Sequence, residues 1–115
     1  MPESLRTVHT SASPRLATRL PALRASLEEQ QLVATAAVTS ILSSRIDRDD
    51  EVALAARRAS LTALAAIDAA LDRIEHGRYG VCQQCGGPIA VERLDALPTA
   101  ESCIGCQRQK ERGDR

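Results

Sequence analysis

Neither phenylalanine nor tryptophan occurs in this 115-residue chain, and Tyr79 is its single aromatic residue. Aromatic rings supply the largest buried areas of ordinary cores, so a wide globular core is not expected. Net charge is lacking too, because 15 basic residues are balanced by 15 acidic ones. Proteins that depend on phosphate contacts usually carry a basic surplus or stripe, since counterion release drives their binding. With one aromatic ring in the whole chain there is also no stacking platform for single strands. Direct, sequence-specific DNA binding is therefore not expected. No run approaches the roughly 20 consecutive apolar residues that span a bilayer, so no membrane span is expected. The start, Met1-Pro2-Glu3-Ser4, shows no apolar run behind a basic segment, and a cytoplasmic location is expected. A Gly-x-Ser-x-Gly elbow and a phosphate-cradling glycine loop are both missing, so an enzyme is not expected.

What is present is concentrated near the end. The only four cysteines form two matched pairs, Cys82-Gln83-Gln84-Cys85 and Cys103-Ile104-Gly105-Cys106. Two Cys-x-x-Cys pairs supply the tetrahedral sulfur cage that Zn²⁺ prefers, and the segment between them fits the spacing of a zinc ribbon. Gly86 and Gly87 allow a tight turn beneath the metal, and Pro88 restricts the exit. Two disulfides or two redox motifs are the competing readings. Disulfides need an oxidising compartment, and redox Cys-x-x-Cys motifs usually sit in a strand-helix-strand setting that the residues before Cys82 do not suggest. One structural zinc held by Cys82, Cys85, Cys103 and Cys106 is expected. With all four positions thiolate, no site remains open for a catalytic water. For the same reason neither His9 nor His76 is expected to bind the metal.

The rest reads as helix. Residues 1–13 are polar and aperiodic and suggest a disordered arm. Leu16, Leu20, Leu23 and Leu27 then recur at steps of four, three and four, a heptad seam that continues through Ala34, Ala37 and Ile41. Pro14 marks a helix start. Pro21 interrupts the same stripe, so either a short helix kinks there or the main helix begins there. After Leu42 the pattern stops, and Asp47-Arg48-Asp49-Asp50-Glu51 suits a turn and a helix N-terminus. A second helix is expected from about Asp50 to His76, with Leu64, Ile67, Leu71 and Ile74 as its apolar stripe and Gly77 as a left-handed cap. The expected fold is mainly α: an antiparallel two-helix coiled-coil hairpin over 14–77 with an acidic tip near 47–52, then a small four-cysteine zinc finger and short C-terminal helix over 78–115.

The run from Ala70 through Gly77-Arg78-Tyr79-Gly80-Val81-Cys82 to Gly86 closely resembles the entry to the zinc finger of the DksA/TraR family of bacterial transcription regulators. The resemblance continues through Ile89, Glu92-Arg93-Leu94, Ala96, Pro98, Ala100 and the second cysteine pair, covering about residues 64–107. It implies a monomeric factor that binds RNA polymerase rather than DNA, with its hairpin in the secondary channel through which nucleotides reach the active site. It implies that acidic tip residues, here Asp47, Asp49, Asp50 and Glu51, act near the catalytic centre and change the lifetime of promoter complexes. The family's tip pattern is Asp-x-x-Asp-x-Ala; this chain has Asp47 and Asp50 in register and Val52 in the alanine place. The plain reading of the same carboxylates is a solvated helix cap. The alternative function is a zinc-stabilised coiled-coil adaptor that binds another protein or itself. Tyr79 is expected to pack between finger and helix end; for Arg93 a contact with polymerase and a local ion pair with Glu92 or Asp95 are both open readings.

Overall fold

A computed structural model describes residues 13–113. The arm expected over residues 1–13, His9 included, lies outside them except for Ser13. Ser13 opens helix α1, Pro14–Ser43, by accepting a hydrogen bond from the Leu16 N–H through its side chain. Pro14 at the first helical position loses nothing there, because that N–H would be unpaired anyway. The main helix does not begin at Pro21, since α1 starts at Pro14 and continues through it. An internal proline costs about 3 kcal/mol. Buried leucines on both sides of it, Leu16, Leu23 and Leu27, outweigh that cost by holding the helix against the rest of the molecule.

Helix α2, Glu51–Glu75, returns antiparallel to α1. Its start is fixed by Asp50, whose carboxylate accepts from the Ala53 N–H at 3.0 Å. Its end is closed by paired bonds, Arg78 N–H to Arg73 O at 2.8 Å and Gly77 N–H to Ile74 O at 3.2 Å. That arrangement requires a left-handed residue after the cap, and Gly77 adopts φ 69°. Two short helices follow, α3 over Val91–Ala96 and α4 over Ile104–Glu111. Among the described residues there is no strand, only an isolated bridge between Val81 and Pro88. The molecule measures 54 × 33 × 23 Å, as a protruding hairpin demands.

The core sits at the base of the hairpin. Leu16, Leu23 and Leu27 of α1 and Ile67 and Ala70 of α2 join Tyr79, Cys82, Ile89, Val91, Leu94 and Ala100 of the finger in one buried cluster. Gly80 lies so close to Leu16 that a Cβ there would fall 2.5 Å from its Cδ2. Polar ties reinforce the joint: Arg15 meets Glu92 at 2.6 Å and Arg19 meets Asp95 at 2.9 Å. These pairs are exposed and contribute little each. Towards the tip only two helices remain, and the expected Ala37 is exposed while Val38 is buried. The reason is helical drift. Six turns of about 3.6 residues from Leu16 reach about 37.6, nearer Val38 than the strict heptad position.

Tyr79 is 3% exposed, and its hydroxyl donates to the Pro98 carbonyl at 2.7 Å. Burial pushes its pKa up to about 12, partly opposed by the nearby Arg73 guanidinium. A raised native pKa means that the folded state holds the phenolic proton longer than the unfolded chain. The associated stability is whole below about pH 10, the ordinary value, and is lost as pH rises towards 12. Because no other aromatic residue is present, a near-ultraviolet absorbance titration reads Tyr79 alone. The midpoint is expected near 12 in the native protein and near 10 in denaturant; a native midpoint of 10 would refute the buried anchor. Packing gives a second expectation. Leu27, with no exposed surface, should lose about 2–5 kcal/mol on truncation to alanine. Val33→Ala, at a position 67% exposed, should change stability by less than about 0.5 kcal/mol in the same denaturant titration.

Candidate metal centre and hairpin tip

Two knuckles bring the cysteines together. In the first, the Cys82 N–H donates to Gly87 O at 2.7 Å and the Gly86 N–H to Cys82 O at 2.9 Å, closing a tight loop. Gly86 makes that turn at φ 77°, a left-handed value that a side chain would strain. In the second, Cys103 is the N-cap of α4, and its sulfur accepts from the Cys106 N–H at 3.5 Å. A helix N-terminus favours negative charge on sulfur. The Gln83 N–H reaches Glu101 O at 2.8 Å and ties one knuckle to the approach of the other.

The four sulfurs lie within 4.8 Å of one another, and Cys85 Sγ is 3.9 Å from Cys103 Sγ. A tetrahedral zinc with bonds near 2.3 Å needs sulfur edges of about 3.8 Å. The donor set fits that ion, and no disulfide is formed. Backbone donors point at sulfur throughout: Gln84 N–H and Cys85 N–H at Cys82, Gly87 N–H at Cys85. Burial alone would push the Cys82 thiol up, but the N–H groups of Cys103, Cys85 and Gln84 draw it down to about 6. The Cys106 thiol is pushed up to about 12, chiefly by the neighbouring Cys103 side chain. The Cys103 thiol is drawn down as well, chiefly by the Cys106 N–H, so thiolate is favoured at some of the four sulfurs and opposed at Cys106 by its neighbours. A dication removes the opposition.

Two arginines brace the finger. Arg93 does not pair with Glu92 or Asp95, which are taken by Arg15 and Arg19; its Nε donates instead to Ser102 O at 2.9 Å, beside the second knuckle. Arg73 was not singled out by its sequence, yet it is 6% exposed and directs Nη2 at Thr99 O, 3.4 Å away. Its position three residues after Ala70 on the apolar stripe was the available signal. His76 caps α2 and lies outside the cysteine cluster, and its Nδ1 contacts Asp72.

The tip carboxylates stand at the opposite end, roughly 36 Å away along a helix of 25 residues. All of Asp47, Asp49, Asp50 and Glu51 are exposed. Asp47 and Asp50 also hold the turn: Asp47 accepts from the Asp49 N–H at 3.0 Å, and Asp50 caps α2. The tip is not purely acidic. Arg48 and Arg58 flank an open groove of about 420 Å³ with Glu51, Leu54 and Ala55.

Residues 77–112 match the prokaryotic dksA/traR C4-type zinc finger family. The chain is 41% identical over 73 residues to the RNA polymerase-binding transcription factor DksA of Caulobacter vibrioides, covering 64% of this chain and 50% of that one. Against the protein of the same name from Escherichia coli K12 it is 42% identical over 41 residues, or 36% and 27% of the two chains. The chain thus spans half or less of the length of these relatives. Among solved structures, transcription factor DksA2 from Pseudomonas aeruginosa shares the fold, with TM-score 0.62 at 23% identity over 93% of this chain and 96% of that one. An RNA polymerase-binding protein and transcriptional regulator from Chlamydia trachomatis superposes with TM-score 0.50 at 26% identity over 78% and 88%. No helix of the described residues is long and apolar enough to cross a membrane. By its hairpin, its sulfur cage for one structural zinc and the match over residues 77–112, this chain is similar to the proteins of the DksA/TraR family.

Proposed function

We propose that this chain is an RNA polymerase-binding transcription regulator that acts in the cytoplasm by inserting one copy of its hairpin into the polymerase secondary channel. Cys82, Cys85, Cys103 and Cys106 ligate the zinc, and Asp47, Asp49, Asp50 and Glu51 form the working tip. The observation that carries this reading is a two-helix rod with exposed carboxylates at the end farthest from a four-cysteine metal site. Zinc without an open coordination position supplies folding energy rather than Lewis acidity. The chemistry is therefore left to the partner, and the factor acts by binding two polymerase states unequally. Balanced charge and a single buried aromatic residue favour a protein partner over DNA. The names carried by the relatives point the same way.

Length and charge divide the work. Each helical residue adds about 1.5 Å of reach, so α1 and α2 decide how deep the tip arrives. The carboxylates decide what it does there. Val52, 81% exposed in the first turn of α2, places a branched apolar side chain beside them.

Metal analysis is expected to find one zinc per chain. Cys103→Ser should lose that zinc and the fold of the finger, because ligation in small fingers is worth on the order of 10 kcal/mol. A serine variant that melts like the purified parent, with no zinc found in either, would end the metal assignment. For the tip, Asp50→Asn keeps a capping side chain and removes only the charge. Polymerase should still co-purify with it at an affinity within about threefold, while its effect on initiation in a defined transcription reaction is lost. Full retention of that effect, or failure of site-directed cross-linkers at Asp50 to reach the polymerase interior, would sink the tip mechanism.

A further inference from the structure

One face of the hairpin has no covering element among the described residues. Steps of seven and three align Leu32, Thr39 and Leu42 along α1, and steps of three and seven align Arg58, Leu61 and Asp68 along α2. Both stripes lie on the same side of the hairpin. Gln31, next to Leu32, donates to Asp68 at 2.7 Å. Arg24 joins Glu28, one turn before Leu32, to Glu75, two turns after Asp68. The apolar members are open to solvent, with Leu32 74%, Leu42 50% and Leu61 40% exposed. No ionisable side chain occurs from Leu32 to Ser44 or from Ala59 to Ile67, so an uncharged middle is bounded by charge.

The bounding charges have opposite sign. On the base side stand Asp68 and Asp72; on the tip side stand Arg57 and Arg58. Arg58 and Asp68 are each five residues from Ala63. A two-fold axis at that level sets each Asp68 over the second copy's Arg58, where Arg48 and Arg58 open onto the 420 Å³ groove. Two-fold interfaces are self-complementary in this way. We infer that this face pairs with the same face of a second copy of the chain, rods antiparallel, with Leu61 near the centre, reciprocal Arg58–Asp68 contacts on either side of it and Leu32 beside Asp68.

The size of the face sets the strength. From Leu54 to Asp72 it is about 27 Å long and two helices, roughly 20 Å, wide. That is smaller than the ~800 Å² per partner of a standard stable interface, so a weak, concentration-dependent pairing is expected. It has a consequence for access. Asp50, thirteen residues tipward of Ala63, falls level with His76 of the second copy, so a paired rod has no free end to insert. Self-association stores the rod in a form that cannot dock. The geometry stands whether or not the docking partner is polymerase.

Sedimentation velocity of the zinc-loaded full chain, without polymerase, tests the pairing from micromolar to sub-millimolar concentration. A monomer–dimer equilibrium is expected, and Leu61→Glu should weaken it at least about tenfold. Arg58→Asp alone and Asp68→Arg alone each place two like-charged pairs in their own homodimer and should sediment as monomers. An equimolar mixture of the two places two opposite-charged pairs in the heterodimer and should recover dimer. Recovery on mixing also shows that both variants are folded. A parent chain that stays monomeric throughout overturns the inference, as does a dimer indifferent to the single reversals or a mixture that stays monomeric.

Discussion

Four sulfur atoms held within 4.8 Å of one another cannot all carry negative charge without a cation among them, and the rest of the structure depends on that constraint. The finger has almost no core of its own. Its buried residues, Tyr79, Ile89, Val91, Leu94 and Ala100, face the hairpin as much as each other. Small modules of this kind need a metal to set their backbone, and only a set backbone can present those residues as a surface. The first turns of α1 then have something to pack against. Leu16 fills the space left by Gly80, and Tyr79 fastens the loop before α4 through Pro98.

From that joint outward the molecule becomes thinner. Base residues are buried by three elements, whereas tip-side residues such as Leu54, Leu64 and Ile41 are only half covered by two helices. Stability is thus concentrated at one end and exposed surface at the other. A rod so built can be clasped by a partner without giving up its own core. Its alanine-rich middle keeps it slender, because small side chains let the helices approach closely. The turn uses only some of the tip oxygens: Asp50 caps α2 through Oδ1, and Asp47 accepts one N–H through Oδ1.

Sequence pattern made much of this legible. The leucine steps from Leu16 to Leu27 located the first seam, and the cysteine spacing located the metal cage. Asp50 and Gly77 marked the two ends of α2, which runs one residue shorter at each end than the expected span from about Asp50 to His76. The failures have physical causes. Pro21 looked like a breaker because its local cost is real, but packing on either side outweighs it. Ala37 was chosen over Val38 because a heptad is slightly shorter than two turns of a straight helix, and the difference accumulates. Arg93 was given a neighbour in sequence, whereas Glu92 and Asp95 point across to α1.

What the chain alone determined was local and periodic: where helices begin and end, which residues carry sulfur, and that no aromatic core or net charge is available. Those properties follow from short-range geometry and composition, which are written residue by residue. Only the tertiary structure decided that Arg15 meets Glu92 across 77 positions and that Arg73 lies beneath the finger. The same holds for Gln31 and Asp68, whose bond sets the two exposed stripes on one side. Such relations depend on how one helix is rotated against another, and a rotation of that kind is settled by the whole packed joint rather than by any single stretch of sequence.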